Sequence, residues 1–272
     1  MNVTEDKKNI VKYHNDMNEI TFQNFGQVDF DFFMVLCSKL RDSGENTVVI
    51  PFSRFKELSG YSSKTSDKRF IKEVEGMNYK QLASTGRIKD GRKIKQFVLF
   101  TDFVIDPDEK TITASVNPKY RYFLDDLTKN FTRFELQEFV SLESKYSKTL
   151  YRLLKQFRTT GVYITTLEEF KRLFGVTKGY SNRLILDKII NPSVKAIQSY
   201  FQDLKCEVQY EPKRGRPVKG YKFTFTPEIL PKKIEQAAEK KKAHTNDFHN
   251  FEQRQYDFGK LETMLQGKNR KG

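Results

Sequence analysis

The sequence has no tryptophan, 2 cysteines, 3 histidines and 8 prolines in 272 residues. Each scarcity removes a class of protein. Cys37 and Cys206 stand far apart in mixed apolar surroundings, which excludes a disulfide framework and suits reduced thiols in a bacterial cytoplasm. His14, His244 and His249 all lie in polar terminal stretches, and neither C-x-x-C nor H-E-x-x-H occurs. Zinc hydrolysis is therefore unsupported, as is a nickase holding a metal on paired histidines beside a tyrosine. The stretch from Gly86 to Lys93 has the glycine spacing of a P-loop but lacks its closing Lys-Ser/Thr pair, so no ATPase is written here. Asp106 and Asp108 flank Pro107 and read as turn residues rather than magnesium ligands. No apolar run reaches the ~18 residues of a membrane span, and Met1 to Lys8 contain no apolar signal core. A soluble, non-enzymatic protein without cofactor or membrane partner is expected.

What is present is positive charge and aromatic bulk. Lys and Arg number 49 against 35 Asp and Glu, a net charge of +14 that calls for a polyanionic partner, nucleic acid before an acidic membrane. The 24 Phe and 13 Tyr supply large buried areas, so a folded chain is expected although the hydrophobic fraction is 37%. Charge is unevenly placed: residues 1–130 hold 21 basic and 19 acidic groups, residues 131–227 hold 18 and 9, and residues 228–272 hold 10 and 7. The middle third carries most of the field.

Residues 1–19 are polar without clear period and read as a flexible arm. Apolar spacing then predicts a helix over 31–40 with Phe33, Leu36, Cys37 and Leu40 on one face, and a short strand at 48–50. A helix runs from Pro51 to Gly60 with Ser53 as its cap, and a longer one from Asp67 toward Leu82. Strands follow at 94–105 and 111–116, joined by the turn 106–110, with 86–92 a loop or wing. Helix, short strand, two helices and a β-hairpin is the order of a winged helix. The order then repeats: a helix over 136–157, a strand at 162–164, and a helix capped by Thr165 or Thr166 with Glu168 and Glu169 that ends near Gly175. A Ser181-capped helix over 182–201, kinked or divided by Pro192, leads to strands at 206–210 and 221–225. The fold class expected is α+β, two tandem winged-helix domains over 20–130 and 131–227, with a mostly disordered tail over 228–272.

A recognition helix presents its N-terminal portion to the major groove. Lys178, Tyr180, Ser181, Asn182, Arg183 and Lys188 hold that place in the second unit, Arg183 suited to guanine and Asn182 to adenine. The hairpin loop with Lys213, Arg214, Arg216 and Lys219 around Gly215 and Pro217 suits phosphate or minor-groove contact. In the first unit Lys64, Lys68, Arg69 and Lys72 line one helix, with Arg92 and Lys93 near the hairpin; they form a second footprint, or belong to a dimerisation module. In the tail, Phe248, Phe251, Tyr256 and Phe258 alternate with polar residues, as a docking peptide or as a disordered end.

The segments Phe131-Thr132-Arg133-Phe134, Ser144-Lys145-Tyr146-Ser147-Lys148-Thr149-Leu150-Tyr151-Arg152-Leu153-Leu154, Ile190-Asn191-Pro192-Ser193 and Gly215-Arg216-Pro217-Val218-Lys219-Gly220-Tyr221 resemble those of iteron-binding plasmid replication initiators of the theta type. The resemblance covers roughly residues 18–226. It implies two winged helices binding directly repeated origin DNA as duplex, a monomer–dimer equilibrium, and recruitment of host helicase, primase or initiator proteins to an opened origin. It also places Ser144, Lys145 and Arg152 on the long helix opening the second domain, in contact with phosphate. Two other readings remain: a winged-helix transcriptional regulator, including an autorepressor, and a structural adaptor with non-specific DNA contact.

Overall fold

A computed structural model describes residues 9–228 apart from residues 23, 42–45, 84–85, 91–92, 126 and 178. Lys178, Arg92 and the tail aromatics Phe248, Phe251, Tyr256 and Phe258 lie outside the described residues, as do residues 1–8 and the tail from 229 onward.

The expected flexible arm is folded from residue 10. Strand β1 (Ile10–His14) pairs antiparallel with β7 (Phe131–Glu135), Tyr13 opposite Thr132. Val11 and Tyr13 are fully buried and alternate with half-buried neighbours, a period of two. The partner strand lies far along the chain, which is why the short alternation reads locally as irregular. A 3₁₀ turn (Asn15–Glu19) leads toward α1 (Gln27–Leu40).

Strand β2 (Thr47–Pro51) opens the first repeat, followed by α2 (Phe52–Leu58) and α3 (Asp67–Ala83). Ser53 does not cap α2: the helix starts directly after Pro51, and the Phe52 N–H is taken by Lys110 O at 2.8 Å. The strand expected over 94–105 is two, β4 (Lys93–Phe97) and β5 (Phe100–Asp106), because β4 turns back to pair with β3 (Gly86–Asp90). Strand β6 (Thr111–Val116) lies between β2 and β5. Asp106 Oδ1 accepts the Asp108 and Glu109 N–H groups, the turn chemistry expected of it.

The second repeat begins with α4 (Leu136–Val140) and α5 (Lys145–Gln156), two helices where one was expected, since Ser144 caps a new helix by accepting the Tyr146 N–H at 3.2 Å. Strand β8 (Val162–Thr166), α6 (Leu167–Phe174) and α7 (Asn182–Ile185) follow, with Thr166 and Ser181 as caps and Gly175 in the left-handed region at φ +60°. The stretch is divided at Pro192, as expected. After α7 a π turn (Leu186–Ile190), in which the Asn191 N–H reaches back to Leu186 O, carries the chain into a second helix, α8 (Asn191–Ile197), with Pro192 in its first turn. Strands β9 (Lys205–Tyr210) and β10 (Val218–Thr224) complete a sheet ordered β8-β10-β9. The first repeat has the matching order β2-β6-β5. Two winged helices in tandem are thus seen in strand order, and one hydrophobic core from Val11 to Phe225 runs through both.

The two repeats are joined by buried polar contacts. Asn18, 1% exposed, donates through Nδ2 to Thr132 Oγ1 and Gln156 Oε1, and its Oδ1 accepts from Tyr13 Oη and Arg152 Nη1 at 3.0 and 2.9 Å. All the polar capacity of that amide is used, which fixes how the residues before α1 sit on α5.

Candidate nucleic-acid interface

In the second repeat, α7 starts under the Ser181 cap, whose Oγ accepts the Leu184 N–H at 3.3 Å. Asn182 and Tyr180 are half-buried, and Ser181, Arg183 and Lys188 are exposed. Arg183 has 91% of its side chain exposed and only a loose pairing, at 3.6 Å, with Asp187. The buried face of the same stretch is Ile185, Ile189, Ile190, Ser193 and Ile197, which seats it on the core and turns Arg183, Asp187 and Lys188 outward.

The loop between β9 and β10 projects Lys213, Arg214 and Arg216 into solvent, with Lys219 half-buried at its base. Lys213 Nζ lies 2.8 Å from Glu211 Oε2, and that hydrogen bond holds the Glu211 carboxyl below its ordinary range and the lysine above its own. Sequence reasoning passed over Tyr210, the last residue of β9, which is 47% exposed and lies under the Arg216 guanidinium, 5.1 Å from ring centroid to Cζ. A tyrosine directly before a Glu-Pro-Lys-Arg-Gly loop was the available signal.

In the first repeat Lys64, Lys68, Arg69 and Lys72 are exposed on and before α3, and none pairs with a carboxylate among the described residues. Lys93 opens β4, away from α3 in sequence. The first repeat's hairpin turn holds Asp106, Asp108 and Glu109, so the two repeats present opposite charge at matching loops.

Arg152 requires correction. Its side chain is fully buried, and it donates to Met17 O at 3.4 Å, Asn18 Oδ1 at 2.9 Å and Ile20 O at 3.3 Å, over the Phe22 ring. A guanidinium so enclosed does not reach phosphate. Lys145, half-buried, stays near the α5 N-terminus with Nζ 5.1 Å from the Tyr146 ring centroid. Among the described residues no group of three His, Cys, Asp or Glu side chains is placed to hold a metal, and no helix is long and apolar enough to cross a membrane.

Tandem winged helices, the second carrying a basic hairpin loop, define a class of double winged-helix proteins. Residues 10–155 match the family described as initiator replication protein, WH1, and residues 166–225 the one described as initiator Rep protein, WH2. The chain belongs to this family of replication initiators. A relative described as a probable replication protein from Bifidobacterium longum (strain NCC 2705) is 36% identical over 228 residues, covering 82% of this chain and 74% of that protein. The fold is similar to that of the Pi initiator protein solved in complex with iteron DNA, at a TM-score of 0.61 and 14% identity over 83% of this chain and 100% of that one. The first family match runs past residue 130 to the end of α5, in keeping with β1 pairing to β7.

Proposed function

We propose that this initiator binds directly repeated origin DNA as duplex, reading bases with α7 and its continuation, gripping the backbone with the β9–β10 loop, and acting by binding rather than by nuclease or ATPase chemistry. The observation that carries the reading is the 91% exposure of Arg183 on a helix whose other face is core, in the same repeat as a loop of exposed cations. That the structurally similar Pi initiator was solved with iteron DNA supports it. The first repeat adds Lys64, Lys68, Arg69 and Lys72 as a further DNA contact, or serves dimerisation within a monomer–dimer equilibrium. Host replication proteins are recruited in a bacterial cytoplasm, and the tail with Phe248, Phe251, Tyr256 and Phe258 is the segment assigned to that task.

Fluorescence anisotropy at physiological salt tests the reading, comparing a duplex of repeats flanking the gene with a scrambled duplex of equal composition. Specific binding that Arg183→Ala weakens by about 1–3 kcal/mol, while Lys213→Ala weakens both duplexes alike, is expected. Equal affinity for both duplexes refutes base reading. Removing residues 232–272 is expected to leave repeat binding intact and abolish origin-dependent replication; preserved replication removes the tail from recruitment.

A further inference from the structure

Tyr210 spends an aromatic side chain on the surface, outside the core cluster. Its ring carries the Arg216 guanidinium, and the backbone is shaped to keep it there. Gly215 and Arg216 have φ of +82° and +42°, a left-handed pair in which the arginine is strained. The Arg216 N–H bonds Lys213 O and the Glu211 N–H bonds Pro217 O, both at 2.9 Å, closing the loop on itself. Tyr210 pairs with Val218 while Gln209 pairs with Gly220, so Lys219 is the extra residue of a β-bulge, a device that bends a strand and re-aims what it carries.

An exposed cation over an exposed ring contributes little to fold stability, so stability does not account for the strained arginine. The stack has another consequence. A guanidinium covered on one face keeps its N–H donors free at the edge, the geometry that pairs bidentately with phosphate, and it has surrendered rotamer freedom before binding. Lys213, tied to Glu211, is not preset in this way.

We propose that Tyr210 is a positioning residue for DNA binding: its ring holds the Arg216 guanidinium so that the N–H edge meets a backbone phosphate beside the groove that the loop enters. The inference deepens the DNA-binding reading of this loop and rests on it.

The test uses the full chain and a duplex of the repeats flanking the gene, titrated by anisotropy over a salt series. Variants are Tyr210→Phe, Tyr210→Leu, Arg216→Ala and the double Tyr210→Leu/Arg216→Ala. Phenylalanine is expected to keep affinity, because the ring and not the hydroxyl holds the cation. Leucine is expected to lose roughly two- to fivefold, to flatten the salt dependence toward that of Arg216→Ala, and to add nothing once Arg216 is alanine. An equal loss from leucine in both backgrounds, or a loss with phenylalanine, overturns the positioning role. Unchanged affinity and salt dependence in Arg216→Ala overturn Arg216 as a phosphate contact and the inference with it, whereas the loop reading itself fails only if Lys213→Ala and Arg214→Ala are silent as well, so the two failures are told apart. Tyr210→Phe keeps the test decisive should the leucine variant fold poorly.

Discussion

Lys148 Nζ lies 2.6 Å from Asp31 Oδ1, with the two side chains 0% and 5% exposed. Asp31 belongs to α1 and Lys148 to α5, so these two helices are locked together by a buried ion pair. Lys148 also donates to Phe139 O at 2.7 Å and Val140 O at 3.3 Å, which leaves its ammonium enclosed by acceptors. Removing one partner strands a buried charge. Lys148→Met is expected to cost about 3–5 kcal/mol, and Asp31→Leu/Lys148→Met less than either single change. Urea unfolding of the three variants checks this; strictly additive losses would show that the two groups do not interact.

Burial pushes the Asp31 carboxyl up to about 7 in spite of Lys148, and burial likewise pushes the Lys148 ammonium below its ordinary value. An acid whose folded pKa is raised binds its proton more tightly when folded. Its contribution is therefore complete below the unfolded value of 3.8 and is lost as pH rises toward about 7. Unfolding free energy followed from pH 4 to 7 should show a falling component that Asp31→Asn removes, and an identical slope in the variant would refute the assignment.

The winged-helix order was legible because each unit announces itself locally: the Thr166 and Ser181 caps, the left-handed Gly175 and the alternation in β8 all act within a few residues. What escaped was long-range. The alternation of β1 has meaning only against β7, and the burial of Lys148 and Arg152 only against α1 and the 3₁₀ turn before it. Cations on a helix otherwise suggest a solvated or DNA-facing surface. The block Ser144 to Leu154, which carried the family resemblance most specifically, is largely a joint between repeats: Ser147, Lys148, Tyr151 and Arg152 are all buried. Its pattern reflects packing at least as much as DNA contact.

Arg152 gives that distinction a direct check. Replacing it by leucine leaves Asn18 Oδ1 and two backbone carbonyls short of a donor, at an expected cost of about 3 kcal/mol or more in stability. The salt dependence of DNA binding, read on the protein that remains folded, should be unchanged, since no phosphate contact is lost. A salt slope reduced by about one at unaltered stability would return Arg152 to the DNA surface.

Gly220 sits immediately after the Lys219 bulge, opposite Thr166. A Cβ there would overlap the Thr165 carbonyl oxygen and stand 3.0 Å from Thr166 Cα, so β8 and β10 approach too closely for any side chain. Gly220→Ala must spread the pair that anchors the base of the loop. The expected result is a loss of about 2 kcal/mol or more in stability, with faster amide exchange in β8 and β10 than in the first repeat's sheet. Gly179→Ala is the matched control, because nothing lies within 4 Å of a Cβ at that position. If the two alanine variants unfold at the same denaturant concentration, the close approach of β8 and β10 is not what requires glycine at 220.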